Sequence, residues 1–116
     1  MRRKRKQKLL MQAQLGEWWR ARAALNDRLA DLMYSLNDGC PPDDFTAAIE
    51  EVGRLDPLFR DAPDFELDRL NHQRRDLIVR GFRYAEQGDF DTCFSMMDRV
   101  IEATDQMTAR LELLMA

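Results

Sequence analysis

One histidine, two cysteines and 21 carboxylates are the polar groups of this 116-residue chain that could carry chemistry. Their spacing narrows what they can do. A lone imidazole, His72, forbids any dyad built on two histidines. It stands in Asn71-His72-Gln73-Arg74-Arg75, a polar stretch, and reads as solvated. Cys40, Cys93 and His72 are too few and too far apart in sequence for a zinc set. The cysteines read as free, partly buried thiols. The glycines at 16, 39, 53, 81 and 88 are isolated, so no glycine-rich loop can cradle a phosphate. Asp43-Asp44 and Glu50-Glu51 lack the calcium-loop pattern and read as helix capping and a solvated face. Nothing selects a carboxylate pair for proton transfer. The expectation is a chain that is not an enzyme, with no catalytic residue, no metal ligands, no cofactor and no small-molecule substrate.

Binding is better represented. The net charge of −3 hides a segregation. Arg2, Arg3, Lys4, Arg5, Lys6 and Lys8 leave 12 bases against 21 acids in the rest of the chain. A basic tip, residues 1–8, is therefore expected on an acidic body, residues 9–116, with the tip either a solvated tail or a helix start. Such a tip suits a protein surface, including the acidic face of a second copy; nucleic acid is the less favoured target, since the body repels phosphate. Leu9 to Gln14 is too broken to serve as the apolar core of a signal peptide, and no apolar run is long enough to span a membrane. The expectation is therefore a cytoplasmic chain, a compartment in which Cys40 and Cys93 do not form a disulfide framework.

The elements that must position these groups are helical. Met11, Leu15, Trp18, Leu25, Leu29, Leu32 and Leu36 alternate spacings of four and three, and Arg22 fills the one missing slot. This predicts a long amphipathic first helix, too long for a domain of this size to cover, so that part of it projects or meets another chain. Asn37-Asp38-Gly39-Cys40-Pro41-Pro42 ends it, with Gly39 suited to a left-handed cap. Asp43 or Asp44 is expected to cap a second helix with Phe45, Ala48, Ile49, Val52 and Leu55 inward, and Leu58 and Phe59 to continue that face. Asp64 is expected to cap a third helix, and Gln87-Gly88-Asp89 to turn into a fourth that runs nearly to Ala116. The fold class is all-α, a bundle of four helices ending in an αα-hairpin.

Three clusters on these helices could carry binding. Trp18 and Trp19 point about 100° apart on a helix, so either one packs inside and one lies at a surface, or both edge one wide stripe. Met96, Met97, Met107 and Met115, with Met11 and Met33, read mainly as core filling, and Met96 as the best surface candidate. Arg69, Arg74, Arg75, Arg80 and Arg83 read as a surface salt network with the acidic 43–68 segment.

Gly81-Phe82-Arg83-Tyr84-Ala85-Glu86-Gln87-Gly88-Asp89-Phe90 resembles the end of the first helix and the turn of a tetratricopeptide repeat. In that family a small residue lets the paired helix approach, and a large residue between two small ones follows on the second helix. Here those places hold Cys93, Met97 and Val100; Val100 departs from the pattern, and Asp105 replaces the closing proline. The resemblance covers residues 74–104, a single repeat, whereas stable solenoids need about three. It implies an αα-hairpin of the protein-binding kind.

Together these observations point to a small cytoplasmic regulator of bacterial type. It would bind another protein and block its assembly or activity, as an antiactivator or adaptor does to a transcription factor. The expected contact residues are Met11, Leu15, Trp18, Trp19, Arg22, Leu25 and Leu29, and a homodimer through the same seam is expected without the partner. One alternative is an export or assembly chaperone using Phe90, Phe94, Met96 and Met97. The other is nucleic-acid binding through Arg2, Arg3, Lys4, Arg5, Lys6 and Lys8.

Overall fold

A computed structural model describes residues 2–36, 40–55, 57 and 61–116, without the side chains of Asn26, Ala30 and Tyr34. Four helices account for nearly all of it: α1 (Arg2–Ser35), α2 (Pro42–Leu55), α3 (Phe65–Glu86) and α4 (Phe90–Met115). Among the described residues there is no strand. The expected cap at Gly39 and the apolar continuation through Leu58 and Phe59 lie outside the described residues.

Local chemistry sets most of the helix ends. Pro42 opens α2 at the first helical position, where its missing N–H costs nothing. Asp43 and Asp44 therefore sit inside the first turn, favouring the positive end of the helix dipole, instead of capping it as the sequence suggested. Asp64 does cap α3: its carboxylate accepts from the Leu67 N–H at 3.0 Å. Asp89 caps α4 in the same way, accepting from the Thr92 N–H at 3.1 Å. Between them Gly88 has φ +85°, a conformation only glycine adopts cheaply. The Gly88 N–H donates to Ala85 O and the Asp89 N–H to Tyr84 O, the paired bonds of a Schellman ending.

α3 and α4 form the closest pair, and α2 lies on α3. Gly81 permits the close approach: a Cβ there would overlap the Met97 methyl and touch Met96 Cβ at 3.4 Å. α1 runs antiparallel to α4, its Gln12 side chain donating to Leu114 O at 3.2 Å and its Arg22 reaching Met107. The molecule is elongated, 59 × 24 × 18 Å, with a radius of gyration of 16.4 Å against about 13 Å for a compact chain of this length. α1, about 51 Å long at 1.5 Å per residue, sets the long dimension.

The core is in two parts. One holds Leu29, Phe45, Val52, Leu77, Ile78, Phe82 and Val100. The other holds Leu15, Trp18, Leu67, Leu70 and Met107. Each of α1, α3 and α4 passes from one part to the other through polar residues: Arg22 on α1, Asn71 and Arg74 on α3, and Thr104 on α4. These form a polar layer across the bundle.

Candidate functional site

The first-helix seam is turned inward. Leu15 and Leu29 are fully buried, Trp18 and Arg22 are each 5% exposed, and Met11, Trp19 and Leu25 are partly buried. The chain's own α2, α3 and α4 occupy the surface on which a partner groove or a second copy was expected. Trp19 lies at the edge, its ring 6.1 Å from that of Trp18, so the pair forms two edges of one wide stripe. On the C-terminal hairpin, Phe90 packs edge-on against Phe45 at 5.9 Å, and Met96 and Met97 pack against the core. Phe94 stands out, half exposed, with Ile101 seven residues further along the same helix.

The basic tip is helical from Arg2. Residues 2–10 are exposed throughout, and they run on past the point where Gln12 meets the end of α4. Six cations and the side chains of Leu9 (56% exposed) and Leu10 (61% exposed) are displayed on this arm. Gly16 does not interrupt α1.

The arginine cluster is divided differently from the expected surface network. Arg69 pairs with Glu66 at 2.5 Å and Arg80 approaches Asp76 at 3.6 Å, both on the surface of α3. Arg74 and Arg75 are buried, at 7% and 8% exposed, because the helical period places them on the inner face between Asn71 and Ile78. Arg74 Nε donates to Thr104 Oγ1 at 2.9 Å. Thr104 in turn donates to Val100 O, which fixes its oxygen as the acceptor.

Arg22 is the most unusual group in the layer. Its guanidinium lies 5.1 Å from the Trp18 ring centroid and 4.8 Å from that of Trp19. Nε donates to Asn71 Oδ1 at 3.3 Å, and Nη2 reaches Met107 Sδ at 3.8 Å. These partners are neutral, and among the described residues Arg22 makes no ion pair. Burial, and then the like charge of Arg74, lower its pKa to about 10. Burial also lowers that of Arg74. The seam spacing puts Arg22 on the inner stripe; the burial of Arg74 is hidden in sequence by the polar stretch Asn71-His72-Gln73-Arg74-Arg75.

Two other groups of polar side chains have plainer roles. Asp64 accepts two bonds from Arg110, at 2.8 and 3.0 Å, besides capping α3. That pairing holds its carboxyl below the usual carboxylate range. His72 Nε2 lies 3.5 Å from Asp68 and 3.8 Å from Asp61, a juxtaposition the sequence hides because Asp61 comes from the α2–α3 connection. Arg75 meets His72 Nδ1 at 2.5 Å on the other side of the ring. Asp61 and His72 are exposed and Asp68 half-buried, its Oδ1 accepting from the Ala62 N–H at 3.0 Å. Cys93 is buried, and burial pushes its thiol up, away from the thiolate that nucleophilic chemistry needs. Among the described residues no helix is long and apolar enough to cross a membrane. No protein-family model, no curated protein and no solved structure matches the chain.

Proposed function

We propose that this chain is a non-enzymatic cytoplasmic regulator that binds another protein and blocks its assembly or activity by occlusion. The observation that carries this reading is the arm of α1, residues 2–10, exposed on every side and carrying six cations with Leu9 and Leu10 at its base. The docking element is this arm instead of the seam, because the seam is spent on the chain's own core. A helix already formed loses little backbone entropy on binding. Its charge steers it to an acidic surface, and the two leucines supply the apolar contact. The acidic body disfavours nucleic acid and anionic membranes as targets for the same arm. That Cys40 and Cys93 are not joined in a disulfide supports a reducing compartment.

The test is affinity capture from the native cell with nuclease present, comparing the intact chain with a variant whose six arm cations are all Gln. Proteins held by the intact chain and lost from the variant support the reading. Equal capture by both would overturn it. Capture lost instead on Phe94→Asp or Ile101→Asp would favour the chaperone reading, for which the exposure of those two residues on α4 is the supporting observation.

A further inference from the structure

The polar layer opens to solvent on one side. A cleft of about 260 Å³ lies where α1, α3 and α4 meet, lined by Trp19, Arg22, Asp27, Arg74, Thr104 and Met107. Two guanidiniums form part of its wall, one from α1 and one from α3, and both are more than nine-tenths buried. A guanidinium has five N–H donors. For Arg22 the described residues engage Nε and one terminal nitrogen, the latter only through a long contact to sulfur, which leaves donors for a guest. The threonines do not compete, since Thr104 and Thr108 both donate to backbone carbonyls of α4.

The rest of the wall narrows the guest. Trp19, Ala23 and Met107 are apolar, and wetting them around a bare inorganic ion would waste that surface. Asp27, exposed at the rim and without an ion pair among the described residues, repels a multiply charged anion more than a singly charged one. The volume falls below the roughly 300 Å³ at which drug-sized pockets begin. We infer that the Arg22–Arg74 cleft binds the carboxylate of a small organic acid or of a protein side chain, with the apolar part of the guest against Trp19 and Met107. A buried guanidinium with donors to spare is the natural receptor for one planar oxyanion, which would bring Arg22 the counter-charge it lacks among the described residues, with Arg74 lining the same cleft.

The site has a built-in reporter, because both tryptophans of the chain flank Arg22. Intrinsic fluorescence is titrated with sodium butyrate, and separately with a capped tripeptide bearing one central Glu, at constant ionic strength set by sodium chloride. A saturable change in the millimolar range or tighter is expected with at least one probe. The probe that saturates at lower concentration identifies the source, a free acid or a side chain. Arg22→Met and Arg74→Gln should each weaken binding at least tenfold, while Arg20→Met on the exposed face of α1 should leave it unchanged. Asp27→Asn should tighten it about threefold, the effect of removing one screened like charge. Circular dichroism of each variant separates lost binding from lost folding, and the Asp27 variant needs no core change at all. The inference is overturned if neither probe saturates, if inorganic phosphate saturates at lower concentration than both, or if folded Arg22→Met binds as the parent does.

Discussion

Replacing Arg22 with Met should cost this protein little, and replacing Arg22 and Asn71 together should stabilise it. The fall of the Arg22 pKa to about 10 corresponds to about 3 kcal/mol held against its charged form in the folded state. Met fills a similar volume without that penalty. The substitution also removes the stacking of the guanidinium on Trp18 and Trp19, at about 1 kcal/mol each. It strips the hydrogen bond from Asn71, which is 1% exposed, and a buried acceptor left alone costs about 1–3 kcal/mol. Arg22→Met should therefore fall within about 1–2 kcal/mol of the parent. Asn71→Leu alone should cost about 2 kcal/mol, since it leaves a buried charge short of its acceptor. The double variant removes both polar partners and should be more stable than the parent by about 1 kcal/mol, with a coupling of about 4 kcal/mol between the sites. Urea denaturation followed by far-ultraviolet circular dichroism measures all four corners of this cycle. A loss above about 4 kcal/mol for Arg22→Met, unrescued by Asn71→Leu, would refute the reasoning and show that Arg22 is held by a net favourable network.

Other positions give independent checks. Asp64→Ala removes the cap of α3 and the partner of Arg110 together, and should cost about 2–3 kcal/mol in urea denaturation. Because Arg110 lowers the Asp64 pKa in the folded state, its contribution is present above the ordinary carboxylate pKa. It is lost as pH falls through the lowered value, so the parent and Asp64→Ala should converge in stability in acid. Gly88→Ala meets no atom within 4 Å but forces a side chain into φ +85°, and should cost about 1–2 kcal/mol by the same assay. Gly81→Ala displaces only the flexible end of Met97 and gains helix propensity, so it should stay within about 1 kcal/mol of the parent. Gly81→Leu should lose more than 2 kcal/mol as α4 is pushed away.

The helices were legible because their signals are local. The four-and-three spacing from Met11 to Leu36, the capping acids Asp64 and Asp89, and the Gly88 turn each act within a few residues, and the structure has them where the pattern places them. The excess length of α1 was legible too, from rise per residue against domain size. What faces the seam was not. A heptad stripe looks the same whether it meets a partner or the chain's own α2, α3 and α4, since periodicity encodes a face and not its neighbour. Arg74 and Arg75 escaped for a related reason. Their neighbours Gln73 and Asp76 are exposed, and a charged residue on the inner side of a polar stretch carries no local mark of burial. The phase of Leu67, Leu70, Leu77 and Ile78 contains the information: Arg74 continues it, as Arg22 continues the seam of α1. Read together, the two interruptions would have located the polar layer, though not its cleft, which depends on how three helices meet.

The central claim, that the arm of α1 and not its seam meets another protein, is tested most directly by site-specific photo-crosslinking in the native cell. A photoreactive amino acid is placed at Leu10 on the arm and, in separate variants, at Ile101 on α4 and Leu113 near its end, all exposed in the free chain. A discrete protein adduct is expected from Leu10, absent from Ile101 and Leu113 and abolished when the six arm cations are Gln. Adducts from Ile101 alone, nucleic-acid adducts from Leu10, or no adduct from Leu10 would contradict it.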